Sequence, residues 1–251
     1  MKILYNLEEI QELKDLAVYH HLGLGDHIHC NGIINYILNN YKINELIIFC
    51  KYKNYLNVYE IYKDYEQVCL IAVDDTNEFN SVYEFIKTNN LQCLCIGHDA
   101  YKDSMNELEK INGESWCDQI FYNQLKIPYI NRYELFKYDR NIKKEIKYFN
   151  SLEVKPLEYV FIHQYPERNF DKFLIERKLN KKFDLPIVYN DPNVKIFDLG
   201  YTIENAKEFY CLESSLRCYV EHLDCKNVDL YLYTGYCDIY SATNKNWIRF
   251  K

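Results

Sequence analysis

The sequence predicts an α/β protein with two domains, each built on a doubly wound parallel sheet. Short apolar runs alternate with amphipathic helical segments along the whole chain. Runs such as "ELIIFCK" and "LQCLCIGH" are apolar throughout, which is typical of parallel strands covered on both faces. The alternation stops at a charged stretch, residues 138–156, and then restarts. We therefore predict domains at 1–140 and 141–251.

The first domain is predicted to open with a charged helix, "NLEEIQELKD", followed by a buried strand, "LAVYHH", that ends at glycines. After the glycines, Ile33, Ile34, Ile37 and Leu38 recur at helical spacing, which predicts an amphipathic helix. The elements expected next are the strand "ELIIFCK", the helix "YLNVYEIYKDY", the strand "VCLIAVDD", the helix "NEFNSVYEFIKTNN", the strand "LQCLCIGH" and the helix "SWCDQIFYNQLKI".

The second domain is predicted to follow a helix and linker in residues 138–156. The expected strands are "LEYVFIHQ", "LPIVYN", "VKIFDL", "FYCLE" and "VDLYLYT". Between them lie "FDKFLIERKLNKKF", as a helix or long loop, a short helix "TIENAKE" and a helix "SSLRCYVEHL".

Charge and hydropathy argue against several classes of protein. The net charge is −7 and the basic residues are scattered, so the basic stripe of a duplex-binding protein is missing. No segment reaches the roughly 20 apolar residues that span a bilayer, and the N-terminus lacks a signal-peptide core. We expect a cytoplasmic protein.

The ten cysteines lie mostly within apolar runs, where a free thiol behaves as a small buried hydrophobe. No CxxC pair occurs. Cys211, Cys218 and Cys225 recur every seven residues, which leaves a zinc or disulfide role open as the alternative.

The stretch "HHLGLGDHIHCNGII" carries the chain from a strand through Gly23 and Gly25 into a helix, with Asp26 at or near the N-cap. The first turn of a helix presents unpaired N–H groups, and glycines let a ligand approach the backbone. A carboxylate at the carboxyl edge of a parallel sheet can accept a proton from a substrate hydroxyl. The alternative is that Asp26 merely caps the helix.

Three other readings of this stretch are weaker. A dinucleotide fingerprint would need a glycine where Ile28 stands, and a Walker loop would need Gly-Lys-Ser/Thr. A zinc site could draw on the histidines and cysteine of the stretch, but they spread around the strand end and the helix start. These candidate ligands are His20, His21, His27, His29 and Cys30.

"LGLGDHIHCNGII" resembles the first loop of GT-B-fold glycosyltransferases, especially the heptosyltransferase-like group and related enzymes of giant viruses and bacteria. The resemblance implies two Rossmann-like parallel-sheet domains facing a cleft, with the acceptor on the first domain and a nucleotide-sugar donor on the second. It also implies that Asp26 is the general base on the acceptor hydroxyl, with His20 or His21 orienting it. A viral source fits this resemblance.

A second constellation lies in residues 198–223, which resemble the donor-binding unit of the same family. Ser214 and Ser215 open a helix and could donate hydrogen bonds to a diphosphate, while Glu213 could hold a ribose or sugar hydroxyl. His163 and Arg168 follow a buried strand and resemble the His and Arg that steady the leaving diphosphate. The alternatives are a simple N-cap serine, a structural histidine and a solvated arginine.

The leading hypothesis is therefore a metal-independent glycosyltransferase that needs no cofactor beyond its nucleotide-sugar co-substrate. Its acceptor would be a glycan or another hydroxyl compound. The sequence departs from the family pattern in its small second domain. Its ending "KNWIRFK" lacks the long terminal helix that usually crosses back over the first domain, and Leu216 and Arg217 stand where the family often has small residues. The main alternative is a non-catalytic nucleotide-binding or protein-interaction module, because the many tyrosines of this chain suit a protein interface. A nicotinamide-dependent or phosphate-ester enzyme is the third possibility.

Overall fold

The computed structural model describes residues 1–97, 115–164, 174–179, 181–235, 239–241 and 243–251. Within them the chain divides into two compact units, Met1–Asp139 and Arg140–Lys251. Each unit is an α/β structure with its own five-stranded sheet.

The first unit contains strands and helices that alternate as the apolar pattern predicts. Its strands are β1 (Lys2–Leu4), β2 (Leu16–Tyr19), β3 (Leu46–Lys51), β4 (Val68–Val73), β5 (Gln92–Cys95) and β6 (Ser115–Trp116). Its α-helices are α1 (Leu24–Asn40), α2 (Tyr55–Tyr62), α3 (Glu78–Thr88), α4 (Cys117–Gln124) and α5 (Asn131–Glu134), and 3₁₀ turns occupy Leu7–Glu9 and Tyr52–Asn54.

The first sheet has the strand order β1-β5-β2-β3-β4, and every neighbouring pair is parallel. The chain moves outward from β2 through β3 to β4, and then crosses back to place β5 on the other side of β2. On one face, Ala17 and Phe49 pack with Val82 and Ile86 of α3 in a buried apolar cluster. The loops after β2, β3, β4 and β5 all leave from the same edge because the strands are parallel.

The second unit has strands β7 (Val160–Ile162), β8 (Ile187–Tyr189), β9 (Glu208–Leu212), β10 (Asp229–Tyr233), β11 (Ile239–Tyr240) and β12 (Trp247–Phe250). Its α-helices are α6 (Ile142–Asn150), α7 (Leu174–Leu179), α8 (Gly200–Glu204) and α9 (Ser215–Val220), with a 3₁₀ helix at Ile196–Leu199. The five-stranded sheet has the order β12-β10-β9-β7-β8 and is again fully parallel. Val160, Ile162 and Tyr210 form its buried face with Ile175 of α7.

The structure confirms the predicted α/β class and corrects several elements. The opening segment forms only the 3₁₀ turn Leu7–Glu9, and the unpredicted strand β1 precedes it. "VKIFDL" is not a strand, because Ile196–Leu199 is a 3₁₀ helix that leads directly into α8. The ending "KNWIRFK" contains β12, which pairs with β10 at the sheet edge.

Nine of the ten cysteines fall on described positions, and each of these nine is a free thiol. In the described helices, we find none with the length and apolar character required to span a membrane.

Candidate functional site

The Gly23 loop leaves the first sheet at the place where its strand order reverses. The chain passes from β2 to β3 on one side, and β5 lies on the other side of β2. Open α/β sheets bind ligands at such a switch point, outside the carboxyl ends of the strands. His21 connects the two sides of the switch point, because its Nε2 lies 3.3 Å from the carbonyl oxygen of Gly97 just after β5. Gly97 has a φ of +82° and faces Phe121, so a side chain there would meet both strain and a clash.

Asp26 lies in the first turn of α1 and folds back towards the start of the helix. Gly23 is the N-cap residue, which puts Asp26 at the third helical position, near the cap as expected. The Asp26 carboxylate accepts a hydrogen bond from the Gly23 N–H, as the third residue of a capping box does. A Cβ at Gly23 would lie 2.6 Å from Asp26 Oδ2, so the glycine provides the space that the carboxylate fills.

The surroundings of Asp26 raise its pKa to about 7. Desolvation of the carboxyl group is the largest cause, and the negative charge of Asp118 adds to it. The hydrogen bond from Gly23 and the positive charge of Lys51 act in the opposite direction. A partly exposed carboxyl group with a pKa near neutrality can take a proton from a hydroxyl and return it, which is what a general base must do.

The histidines of this loop occupy different environments. His20 is fully buried, and its Nδ1 lies 2.6 Å from the carbonyl oxygen of His21. The His20 ring packs edge-on against His27 of α1, with ring centroids 4.5 Å apart. Burial and the nearby His20 hold the pKa of His27 well below its ordinary value, and both rings are fully buried. His21 is half-buried and stacks on Phe121.

A buried ion pair that the sequence patterns did not reveal lies in the same unit. Arg132 of α5 donates to the Asp118 carboxylate of α4, and both side chains are fully buried. The hydroxyl of Tyr129 also donates to Asp118, and the Tyr133 ring lies 5.0 Å from the guanidinium carbon. These contacts hold the Asp118 carboxylate in place, and its negative charge helps to raise the pKa of Asp26.

In the second unit, His163 and Ser214 meet at the corresponding reversal of strand order. His163 follows β7 and Ser214 follows β9, and these strands are neighbours between which the order reverses. Ser214 Oγ lies 3.3 Å from His163 Nδ1. It also caps α9 by accepting from the Arg217 N–H, and Ser215 is the first helical residue. Two residues about 50 positions apart in the sequence are thus brought together at a switch point.

Burial lowers the pKa of His163 to about 4, so its imidazole is neutral at physiological pH. A neutral ring offers one donor and one acceptor but no positive charge. His163 can therefore orient Ser214 or a ligand atom through hydrogen bonds.

Glu213 is already engaged by other side chains of the second unit. Its Oε1 accepts hydrogen bonds from the hydroxyl and the N–H of Ser241, and Oε2 lies 3.6 Å from Arg217 Nε. Arg217 is fully buried, donates to Ser241 from both terminal nitrogens, and also pairs with Glu221 at 3.7 Å. The role of Glu213 in holding a sugar or ribose hydroxyl stays a prediction, and its visible contacts are structural.

Arg168, the predicted cationic partner of the diphosphate, lies outside the described residues. Across the described ranges, no group of three or more His, Cys, Asp or Glu side chains is arranged to hold a metal ion. A pocket of about 370 Å³ in the second unit is lined by residues such as Asp224, Lys226 and Lys245. It opens near the start of β10, away from the carboxyl ends of the strands where His163 and Ser214 lie.

Comparison with known proteins shows similarity at the level of structure. No family model and no curated protein sequence matches the chain. The crystal structure of the glycosyl transferase family 9 protein from Veillonella parvula aligns over 96% of this chain and 88% of its own, with 10% identity and a TM-score of 0.56. The E. coli heptosyltransferase WaaC with ADP-2-deoxy-2-fluoro heptose aligns over 94% of this chain and 92% of its own, with 12% identity and a TM-score of 0.46. With its two parallel five-stranded sheets, the chain has the α/β fold of GT-B glycosyltransferases.

Proposed function

We propose that this protein is a glycosyltransferase that moves a sugar from a nucleotide-sugar donor to an acceptor hydroxyl. One observation carries the proposal: polar side chains predicted from the sequence to take part in transfer lie at the switch points of both sheets. Asp26 belongs to the first of these points, and His163 with Ser214 to the second. The proposal assigns acceptor activation to the first unit and donor binding to the second.

Asp26 is the proposed general base. Its carboxylate would remove the proton of the acceptor hydroxyl as the oxygen attacks the anomeric carbon, and the nucleoside diphosphate would leave with the electrons of the broken C–O bond. A pKa of about 7 suits this step, because a substantial fraction of the carboxylate is ionised at neutral pH and still basic enough to take a proton. His21, held by the Gly97 carbonyl, would orient the acceptor from the same edge.

Donor binding is proposed for Ser214, Ser215 and His163, with Arg168 supplying positive charge to the diphosphate. Burial disfavours the imidazolium form of His163 in the free protein, so the proposal assigns the fixed positive charge to an arginine. We further propose that transfer needs no resident metal. Full activity in EDTA would support that part of the proposal, and loss of activity that Mg²⁺ restores would contradict it.

The donor site is tested by the thermal shift of the full chain with nucleoside diphosphates and nucleotide sugars. We expect stabilisation by the compounds of one base, and loss of that shift in Ser214→Ala. Ser151→Ala is the matched control, because Ser151 lies in the same unit and only donates to the Tyr148 carbonyl. A flat panel would instead favour a non-catalytic interaction module.

The base assignment is tested separately in an assay of sugar transfer with the donor so identified. Asp26→Asn can still accept the Gly23 hydrogen bond but cannot take a proton, so we expect a fall in kcat of about 100-fold or more without loss of donor binding. Asp74→Asn is the control, since this exposed aspartate follows β4 at the same sheet edge and only caps its own loop. Near-normal transfer by Asp26→Asn would show that another group is the base.

A further inference from the structure

Strand β4 forms one edge of the first sheet and pairs only with β3 among the described strands. It is six residues long, Val68–Val73, and its sequence VCLIAV contains no charged residue and no proline. Its side chains are half-buried except for that of Val73, whereas those of β3 are buried along nearly the whole strand. One side of β4 is therefore covered by no described strand.

The other edges of the two five-stranded sheets carry features that discourage pairing with a further strand. β1 has only three residues and includes the exposed Lys2. β8 is equally short and follows Pro186, and β12 carries the exposed Arg249. Short strands, charges and prolines are the usual means by which proteins protect sheet edges. β4 has none of these features, which indicates an edge that is available to a partner.

The hydrogen bonds of β3 show which backbone groups of β4 face outward. The Leu46 N–H donates to the Gln67 carbonyl at 2.8 Å, so the backbone groups of Gln67 point towards β3. These groups alternate in direction along a strand, and Leu70 and Ala72 therefore direct theirs away from β3. In the described parts of the chain, no group bonds to the N–H and C=O of Leu70 and Ala72. These groups can pair with an added strand.

Carboxylates flank β4 at both ends. Asp64 and Glu66 are exposed before the strand, and Asp74 is exposed after it. The lysine that precedes these residues, Lys63, already forms an ion pair of 2.9 Å with Glu60. The free edge of β4 is thus an uncharged strip between two acidic ends.

We propose that the free edge of β4 binds an extended segment of a partner protein, with an apolar run opposite β4 and a lysine or arginine beyond each end of that run. In strand addition of this kind, backbone hydrogen bonds give affinity and side chains give specificity. The outward groups of Leu70 and Ala72 would bond to the added strand. The carboxylates of Asp64, Glu66 and Asp74 would pair with its basic residues. The inference does not depend on the proposed sugar transfer.

A second copy of the chain fits this edge less well than a basic segment does. Antiparallel pairing of two β4 strands centred on Leu70 would place Glu66 of one copy opposite Asp74 of the other. Like charges directly opposite each other destabilise a strand pair. The net charge of −7 adds to the repulsion between two copies. A basic segment instead meets both acidic ends with opposite charge.

The test measures binding of synthetic peptides to the full chain by fluorescence anisotropy. The probe is a labelled KKVTITVKK, which has a β-forming centre and lysines at both ends, and EEVTITVEE is its charge-reversed counterpart. Ala72→Pro removes an outward N–H without breaking a bond to β3, so it should disrupt only the added strand. Glu66→Lys/Asp74→Lys reverses the charge of the two ends. Its matched control is Glu158→Lys/Asp229→Lys, at exposed sites in the second unit. A thermal melt of each variant checks that the fold is intact.

We expect the wild type to bind KKVTITVKK at least about tenfold more tightly than EEVTITVEE, and Glu66→Lys/Asp74→Lys to reverse that preference. Ala72→Pro should weaken binding about tenfold or more, while the matched control stays within about twofold of the wild type. If Ala72→Pro does not fold, the reversal of peptide preference still decides.

Absence of binding by both peptides, or a preference that the charge reversal leaves unchanged, would overturn the inference. A dimer in sedimentation experiments that Ala72→Pro abolishes would also overturn it, because the second copy would then occupy the edge.

Discussion

At the scale of single residues, the ionisation of Asp26 depends on opposing influences that lie within a few residues of it in space. Desolvation and Asp118 raise its pKa, whereas the Gly23 N–H and Lys51 lower it. The balance leaves the group titrating near neutral pH, where a base is most effective. Both rate and stability should therefore respond to pH through this one carboxyl group.

Transfer should accelerate as the pH rises from about 6 to 8, because only the ionised Asp26 can accept a proton. We expect kcat/KM to follow an apparent pKa near 7 in a pH-rate profile. Lys51→Met should move this value upward by removing a positive charge, while Lys87→Met, an exposed change on α3, should leave it in place. A profile that is flat between pH 5 and 8 would contradict the assignment.

Asp26→Asn should make the protein more stable at alkaline pH while reducing its activity. The pKa of Asp26 is higher in the folded chain than in an unfolded one, so its contribution to stability is full below about pH 4 and is lost as the pH rises through about 7. Asparagine has no such dependence. Melting curves should show an increase in Tm at pH 8 that is absent at pH 4. The increase should be about 2–4 °C for each kcal/mol gained in unfolding free energy. Equal shifts at both pH values would argue against the raised pKa.

Acidification should destabilise the fold through its buried histidines. The pKa values of His27 and His163 are lowered by burial, so their contribution to stability is present above about pH 6.5 and is lost as the pH falls towards the lowered values. We expect His27→Leu to reduce the loss of Tm between pH 7 and 5. The same loss of Tm in His27→Leu as in the wild type would argue against the lowered pKa of His27.

At the scale of elements, the sequence predicts segments that carry their own periodicity and fails for those defined by distant partners. α1 and β3 are long and rich in apolar residues, and both occur where expected. The three residues of β1 form a strand only because they pair with β5, about 90 positions later. β12 similarly depends on β10. The opening segment could not extend as a helix, since Leu13 adopts a left-handed φ of 58°.

In the candidate site too, some residues can be recognised from a local sequence motif and others are defined by distant partners. Asp26 and its glycines lie within four residues and form a local motif that can be recognised from the sequence. Arg217 resembles an exposed charge on a short helix, because its partner Ser241 comes 24 residues later. Asp118 and Arg132 likewise meet through the packing of two helices. A buried ion pair between two separate elements produces no recognisable pattern within a short stretch of sequence.

The network around α9 should be among the most sensitive parts of the second unit. Arg217 lies between Glu213 and Glu221, so Arg217→Met leaves two carboxylates without their buried cation. The expected loss is about 3–5 kcal/mol of unfolding free energy. Urea denaturation followed by the fluorescence of Trp247, whose Nε1 donates to Glu221, measures it. Lys207→Met at an exposed site is the control, and a loss below about 1 kcal/mol in Arg217→Met would show that the network is not important for stability.

At the scale of the whole molecule, the same reversal of strand order occurs once in each unit, and each reversal carries one part of the proposed site. Ligand binding should consequently protect the two units unequally. A nucleoside diphosphate at about 100 times its Kd stabilises the structure that binds it by about 2.7 kcal/mol. Hydrogen exchange should slow mainly in β7, β9 and α9, with little change in β2 and α1. Uniform protection of both units would argue against a donor site confined to the second.

Because Gly23, Asp26 and the strands that hold them all lie before residue 140, the residues proposed to activate the acceptor are encoded in one continuous piece of the chain. The residues proposed for the donor are encoded in the other piece. Evolution, or an engineer, could therefore exchange one half for a homologous half with a different sugar preference. Under the proposed function, such a recombinant would transfer a new sugar to the same acceptor hydroxyl.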